Sequence, residues 1–256
     1  MSAPGPRPDR QEKPHPHAAI LDPTGKFLIV PDLGADLTRI YSINADTGKL
    51  TECPAIKSLP GDGPRHGVFR ASGGRGHKKG KASLKYYSLN EVSSSVGVYD
   101  VTYGDCLSLA LVQTLSNYGP SVPLGNIYVK SAEIRIVDDY LYATNRNDTT
   151  FGKEQDSIAT FKIESSGKLT FVELANSYSY YPRTLTFNKA GTLAAVGGQT
   201  TANIAVIARD TKTGKLGKLV ANVLVPPRGT YGGEDGISSI YWDEEDGGYH
   251  PHVPRL

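Results

Sequence analysis

Two Pro-Arg dipeptides, Pro64-Arg65 and Pro182-Arg183, and two His-Pro-His runs, at 15–17 and 250–252, concentrate the side chains of this sequence that could do chemistry. A guanidinium presents a planar fork of donors that holds a carboxylate or phosphate in one orientation, so recurring arginines suit an anionic ligand. An imidazole titrates near neutral pH and can move a proton to or from a reacting atom. The second run, His250 to His252, places two imidazoles at i and i+2, as a metal site would, but no third ligand accompanies it. No cofactor is inferred. Ser, His and Asp are all present without a GxSxG elbow, so a serine-hydrolase mechanism is not supported. The basic, Gly-rich stretch ASGGRGHKKGKAS at 71–83 has neither the GxxxxGK[ST] pattern nor a following helix, and it reads as a solvated surface loop rather than a phosphate cradle. Cys53 and Cys106 form no CxxC pair and are read as buried or idle thiols, with no metal site or disulfide framework indicated.

The elements that must position these residues are strands. Among 256 residues, 15 Tyr, 28 Gly and 17 Pro punctuate short Val/Ile/Leu/Thr runs, the profile of many short strands joined by turns. A strand, a tight turn, a second strand and a Gly-Lys-Leu turn recur four times. The copies are AAILDPTGKFLIVPD to DTGKL, GPRHGVF to SVGVYDV without its GKL turn, EIRIVDDYLYATN to SSGKL, and PRTLTFNKAGTLAAVGG to TKTGKL. Gly167 and Gly214 stand 47 residues apart, a blade-sized period. Both faces of these strands are largely apolar, as in sheets covered on each side by neighbouring sheets. Radially stacked four-stranded blades meet that demand; a flat sandwich is the alternative, but it leaves the repeat unexplained. Residues 1–13 read as a flexible, Pro-rich arm, 14–242 as the repeat domain and 243–256 as a tail. The net charge of +2, from 28 basic and 26 acidic residues, argues against a nucleic-acid or membrane partner and for a small ligand. The sequence has neither a membrane-length apolar run nor a signal core, so the default expectation is a cytoplasmic protein.

HPHAAILDPTGKFLIVPDLGAD, GPRHGVF, SLNEVSSSV, YATNR and YPRTLTFNKAG follow one another between about Pro14 and Trp242. Singly each is weak; in this order they resemble the seven-bladed lactonase propeller family, which includes 6-phosphogluconolactonase-like proteins and fungal carboxy-cis,cis-muconate cyclase. The resemblance implies an all-β propeller of four-stranded antiparallel blades, about four complete and one partial, incomplete relative to a seven-bladed ring. It covers only the later part of such a protein, so the chain is expected to be truncated at its N-terminus. The last candidate strand, GISSIYW, then lacks its partners, and open blade edges invite self-association.

In the family the site lies at the mouth of the central channel, and the resemblance carries four polar positions to His17, Arg65, Glu91 and Arg183. His17 opens the first strand of one repeat, while Arg65 and Arg183 hold the same place in two others. The expectation is that Arg65 and Arg183 bind the anion, that His17 and Glu91 divide the proton transfer, and that the arginines keep Glu91 ionised. Blade-to-blade bracing by the arginines, and simple ion pairing of Glu91, are the structural alternatives. His66, Asp32, Asn145, Arg146 and Gln199 form a second tier that closes inner strands and could line the channel or serve as structural polar ends. The implied substrate is a small carboxylated or phosphorylated lactone, or a muconate-like acid, opened or formed without metal. A non-catalytic propeller fragment that binds a protein by strand addition is the competing expectation.

Overall fold

The computed structural model describes residues 5–72, 83–120, 129–231 and 235–244. Every regular element among them is a strand: β1 (Ile20–Leu21), β2 (Phe27–Asp32), β3 (Leu37–Ile43), β4 (Leu50–Lys57), β5 (Pro64–Ser72), β6 (Ser83–Asn90), β7 (Ser95–Tyr103) and β8 (Leu107–Ser116) come first. They are followed by β9 (Lys130–Val137), β10 (Tyr140–Arg146), β11 (Ser157–Ile163), β12 (Leu169–Asn176), β13 (Pro182–Phe187), β14 (Leu193–Gly198), β15 (Asn203–Arg209) and β16 (Leu216–Leu224). Consecutive strands build four four-stranded sheets, β1–β4, β5–β8, β9–β12 and β13–β16, each in simple meander order. These are the four blades that the repeat predicts, so the fold is an all-β propeller fold.

The turns explain why the chain reverses where it does. Gly48, Gly167 and Gly214 of the Gly-Lys-Leu turns have φ of 67°, 79° and 70°, a left-handed conformation open to glycine at no steric cost. Each donates its N–H back across the turn, to the carbonyls of Asn44, Glu164 and Asp210, at 2.8 Å. In the tight turn between β1 and β2, the Asp22 carboxylate accepts the N–H groups of Thr24 and Phe27 and the hydroxyls of Thr24 and Tyr103.

The chain packs as two compact units, Met1–Ser131 with Ile163–Thr170, and Ala132–Lys162 with Phe171–Leu256. In the first, Phe27, Ile29, Ile40, Tyr86, Tyr99, Leu107 and Leu109 interleave between the first two sheets. Ile29 and Ile40 are fully buried, each contributing on the order of 2 kcal/mol of transfer free energy. In the second unit Tyr140, Tyr142, Ile158, Leu185, Val196, Ile207 and Leu216 form the corresponding core. One device repeats in both. Tyr87 on β6 donates to the carbonyl of Gly167, and Tyr142 on β10 donates to that of Gly214, at 2.8 and 2.6 Å. In each case a tyrosine on a second strand grips the glycine turn of a later sheet.

Two expectations are corrected. Cys53 and Cys106 are not idle thiols: they form a disulfide, with Cα atoms 5.8 Å apart. No CxxC spacing announces it, because the bridge spans two sheets, from β4 to the turn before β8. GISSIYW forms no strand; Ile237 and Ile240 instead approach Gly197, where a Cβ would lie 2.9 and 3.4 Å from their methyl groups. Ahead of the first sheet, Gln11 is fully buried and its side-chain amide donates to the carbonyl of Leu33 at 3.0 Å. The second His-Pro-His run, and the 71–83 stretch from 73 to 82, lie outside the described residues.

Candidate active site

The two Pro-Arg pairs share a backbone irregularity that the sequence does not reveal. Pro64 pairs with Asn90 and His66 with Leu89, which leaves Arg65 as an extra residue in β5. On β13, Pro182 pairs with Gly198 and Thr184 with Gly197, which leaves Arg183 as the extra residue in the same way. A bulge of this kind bends the strand and re-aims one side chain, and such bulges gather beside active sites.

In the first unit the bulge delivers Arg65 to Glu91. Glu91 follows β6, and its N–H donates to the carbonyl of Gly63 at 2.8 Å. Gly63 has φ of 61°, and a Cβ there would sit 2.5 Å from a methyl of Val92, so only glycine lets the β6–β7 turn approach this closely. Arg65 and Glu91 are each 1% exposed. Arg65 Nε donates to one carboxylate oxygen of Glu91 at 2.8 Å, and Arg10 Nη2 donates to the other at 2.6 Å. With both oxygens matched, the charge is compensated where burial would otherwise be most costly. Arg65 Nη1 also lies 3.3 Å from Nε2 of His66, and that nitrogen lies 3.2 Å from Nδ1 of His17. His17 is held in turn by its N–H, which donates to the carbonyl of Pro31 at 2.9 Å. The result is one continuous polar chain, Arg10, Glu91, Arg65, His66 and His17.

Three of the four principal residues, His17, Arg65 and Glu91, thus come together, with His66 drawn in from the second tier. Arg10 was not expected. Its only signal is a cation just ahead of the His-Pro-His run, and a pairing across 81 residues is invisible to local pattern. Asp32 is a structural latch: fully buried, it accepts the N–H of His15 at 2.8 Å and a two-pronged contact from Arg39 at 3.0 and 2.8 Å.

The second unit carries the other candidates. Arg183 sits half-buried at its bulge on β13. Asn145 is buried and donates to the hydroxyl of Ser157 at 3.0 Å. Arg146, 5% exposed, lies over the ring of Tyr181, 5.7 Å from its centroid. Gln199 is buried, and its N–H donates to the carbonyl of Tyr181 at 2.9 Å. Nearby, burial pushes the Asp156 carboxyl up to about 6, with the N–H groups of Thr149, Tyr181 and Asn147 acting against that rise. No cluster of three metal-ligating side chains occurs among the described residues.

Four-stranded meanders repeated as blades, two of them opening on a bulged arginine, define a β-propeller. The chain belongs to the lactonase family of seven-bladed β-propellers, whose model matches residues 1–230. It is 33% identical over 221 residues to 6-phosphogluconolactonase of Formosa agariphila, covering 84% of this chain and 56% of that protein. With 6-phosphogluconolactonase of Bacillus subtilis it shares 30% over 223 residues, 85% of this chain and 57% of the relative. Among solved structures, the periplasmic gluconolactonase of Pseudomonas aeruginosa superposes with a TM-score of 0.70 at 27% identity, over 86% of this chain and 57% of that one. The chain therefore spans little more than half the length of these relatives.

Proposed function

We propose that this chain serves the opening of a small anionic lactone of the sugar-acid class, with His17 moving the proton and Arg65 holding the anion. The observation that carries this reading is the continuous polar chain from Arg10 to His17, buried at Arg65 and Glu91, in a member of a lactonase family. The relatives named 6-phosphogluconolactonase support a phosphorylated substrate, and the Arg65 guanidinium suits its charge. In the reaction, water attacks the lactone carbonyl carbon while its proton passes to His17. The tetrahedral oxyanion is stabilised by guanidinium, the ring C–O bond breaks, and the imidazolium returns the proton to the departing ring oxygen. Glu91, expected from sequence to share the proton transfer, is better suited to orient Arg65, since each of its oxygens already accepts from an arginine.

Acid release from 6-phosphoglucono-δ-lactone, followed against spontaneous hydrolysis, tests the reading. The protein should accelerate it, and His17→Ala or Arg65→Lys should slow turnover on the order of 100-fold. A rate no faster than buffer, or one indifferent to both substitutions, sinks it. A second reading, association through a strand edge, draws support from the outer strand β16, which ends in exposed Val220, Val223 and Leu224. A concentration-dependent mass in sedimentation would favour it.

A further inference from the structure

His66 meets two partners at a single nitrogen. Arg65 Nη1 stands 3.3 Å from its Nε2, and His17 Nδ1 stands 3.2 Å from the same atom. A guanidinium has no acceptor, so in the first bond Nε2 of His66 must accept and cannot itself carry a hydrogen. Only one polarity is then left for the second bond: His17 Nδ1 carries the hydrogen and donates it. In a neutral imidazole one nitrogen is protonated and the other holds the lone pair, which puts the lone pair of His17 on Nε2. The edge-on approach of the two rings, with planes at 63° and centroids 5.1 Å apart, suits such an N–H to N contact.

The strand has been shaped to allow this. In an unbroken strand Arg65 and His66 would point to opposite faces. The bulge between Pro64 and His66 removes that alternation and lets both neighbours join one polar chain. The equivalent bulge on β13 is followed by Thr184, so the irregularity by itself does not call for a histidine.

We propose that His66 is a positioning residue: fixed as an acceptor by Arg65, which Glu91 orients, it locks His17 in the Nδ1–H tautomer and makes His17 Nε2 the atom that takes the proton of the attacking water. The role given to that atom rests on the lactone-opening reading above; the tautomer itself is defined without substrate.

Long-range 1H–15N correlation spectra of the whole chain, labelled at histidine, report which nitrogen of each ring is protonated. At a pH where His17 is neutral, its Nδ1 should be protonated and its Nε2 should not. His66→Gln retains a carbonyl acceptor and should preserve that tautomer, whereas His66→Leu removes the acceptor and should shift His17 toward Nε2–H. In lactone hydrolysis, His66→Leu should lower kcat on the order of 10-fold or more with little change in KM, and His66→Gln should restore most of it. Protonation of His17 at Nε2 in the unaltered protein overturns the proposal, as does a tautomer indifferent to His66→Leu. Should the leucine variant fail to fold, the spectrum of the unaltered protein still decides. An Nδ1–H ring without lactone turnover would uphold the lock and defeat the lactonase reading; turnover with an Nε2–H ring would do the reverse.

Discussion

Glu91 and Asp22 are two buried carboxylates with different tasks, and substitution should separate them. Glu91 lies between two guanidinium groups, so Glu91→Gln leaves Arg65 buried without the carboxylate charge that faces it. The expected cost is about 3 kcal/mol of stability in urea denaturation, together with a raised KM as Arg65 loses its orientation. Asp22 has no cationic partner among the described residues; it ties a turn. Burial would raise its carboxyl, but the hydroxyl and N–H of Thr24, the N–H of Phe27 and the hydroxyl of Tyr103 outweigh that and hold it below its ordinary value. A carboxyl lowered in the folded state contributes stability above its unfolded pKa of about 3.9 and loses that contribution as pH falls through the folded value. Asp22→Asn should therefore cost about 1–3 kcal/mol at pH 7 and progressively less below about pH 4. Unfolding curves of the two proteins that stay equally far apart at acid pH would contradict this. Arg65 and His17 were legible as chemistry because arginine and histidine recurred at strand starts. Arg10, the residue that completes the grip on Glu91, was not, because nothing local links positions 10 and 91.

Among the elements, the strands and turns were legible from a period and a turn signature: short apolar runs and three Gly-Lys-Leu turns mark β1 to β4 and β9 to β16. The bulges at Arg65 and Arg183 were half legible, as a repeated dipeptide whose register shift only pairing reveals. The disulfide was illegible, since its partners belong to separate sheets and share no motif. That bridge ties β4 to the start of β8 across 53 residues, a loop whose closure is worth about 4 kcal/mol in the chain-entropy picture. Cys53→Ser with Cys106→Ser should lower the denaturation midpoint by about 2–4 kcal/mol equivalent, and a dithiol reductant should do the same to the unaltered protein. The tyrosine grips are testable in the same assay. Tyr142 donates to Gly214 and accepts from Arg209 Nε at 2.5 Å, so Tyr142→Phe strands both groups in a buried place. A loss of about 1–3 kcal/mol is expected, and a loss below about 0.5 kcal/mol would show that the grip is ornamental.

For the whole molecule, the fold class was readable because a propeller is assembled from one unit repeated, and a repeat survives where single strands are ambiguous. The meeting of distant side chains was readable only through family resemblance, because no periodicity within a blade states what another blade presents. The disulfide also bears on where the molecule lives: structural disulfides persist in oxidising compartments, whereas cytosolic thiols are kept reduced. Alkylation of free thiols at lysis in the native cells separates the cases. Unreactive Cys53 and Cys106 would place the protein in an oxidising compartment, and reactive ones in the cytoplasm.

The tyrosine grips also give assembly a direction in time. Tyr87 and Tyr142 find their carbonyls 80 and 72 residues further along, never behind them. On a ribosome, each of these hydroxyls therefore emerges well before its acceptor has been synthesised. A nascent sheet must keep an unsated phenol in water until the next glycine turn is made, so the final tightening of these two sheets waits on translation of the sheet that follows.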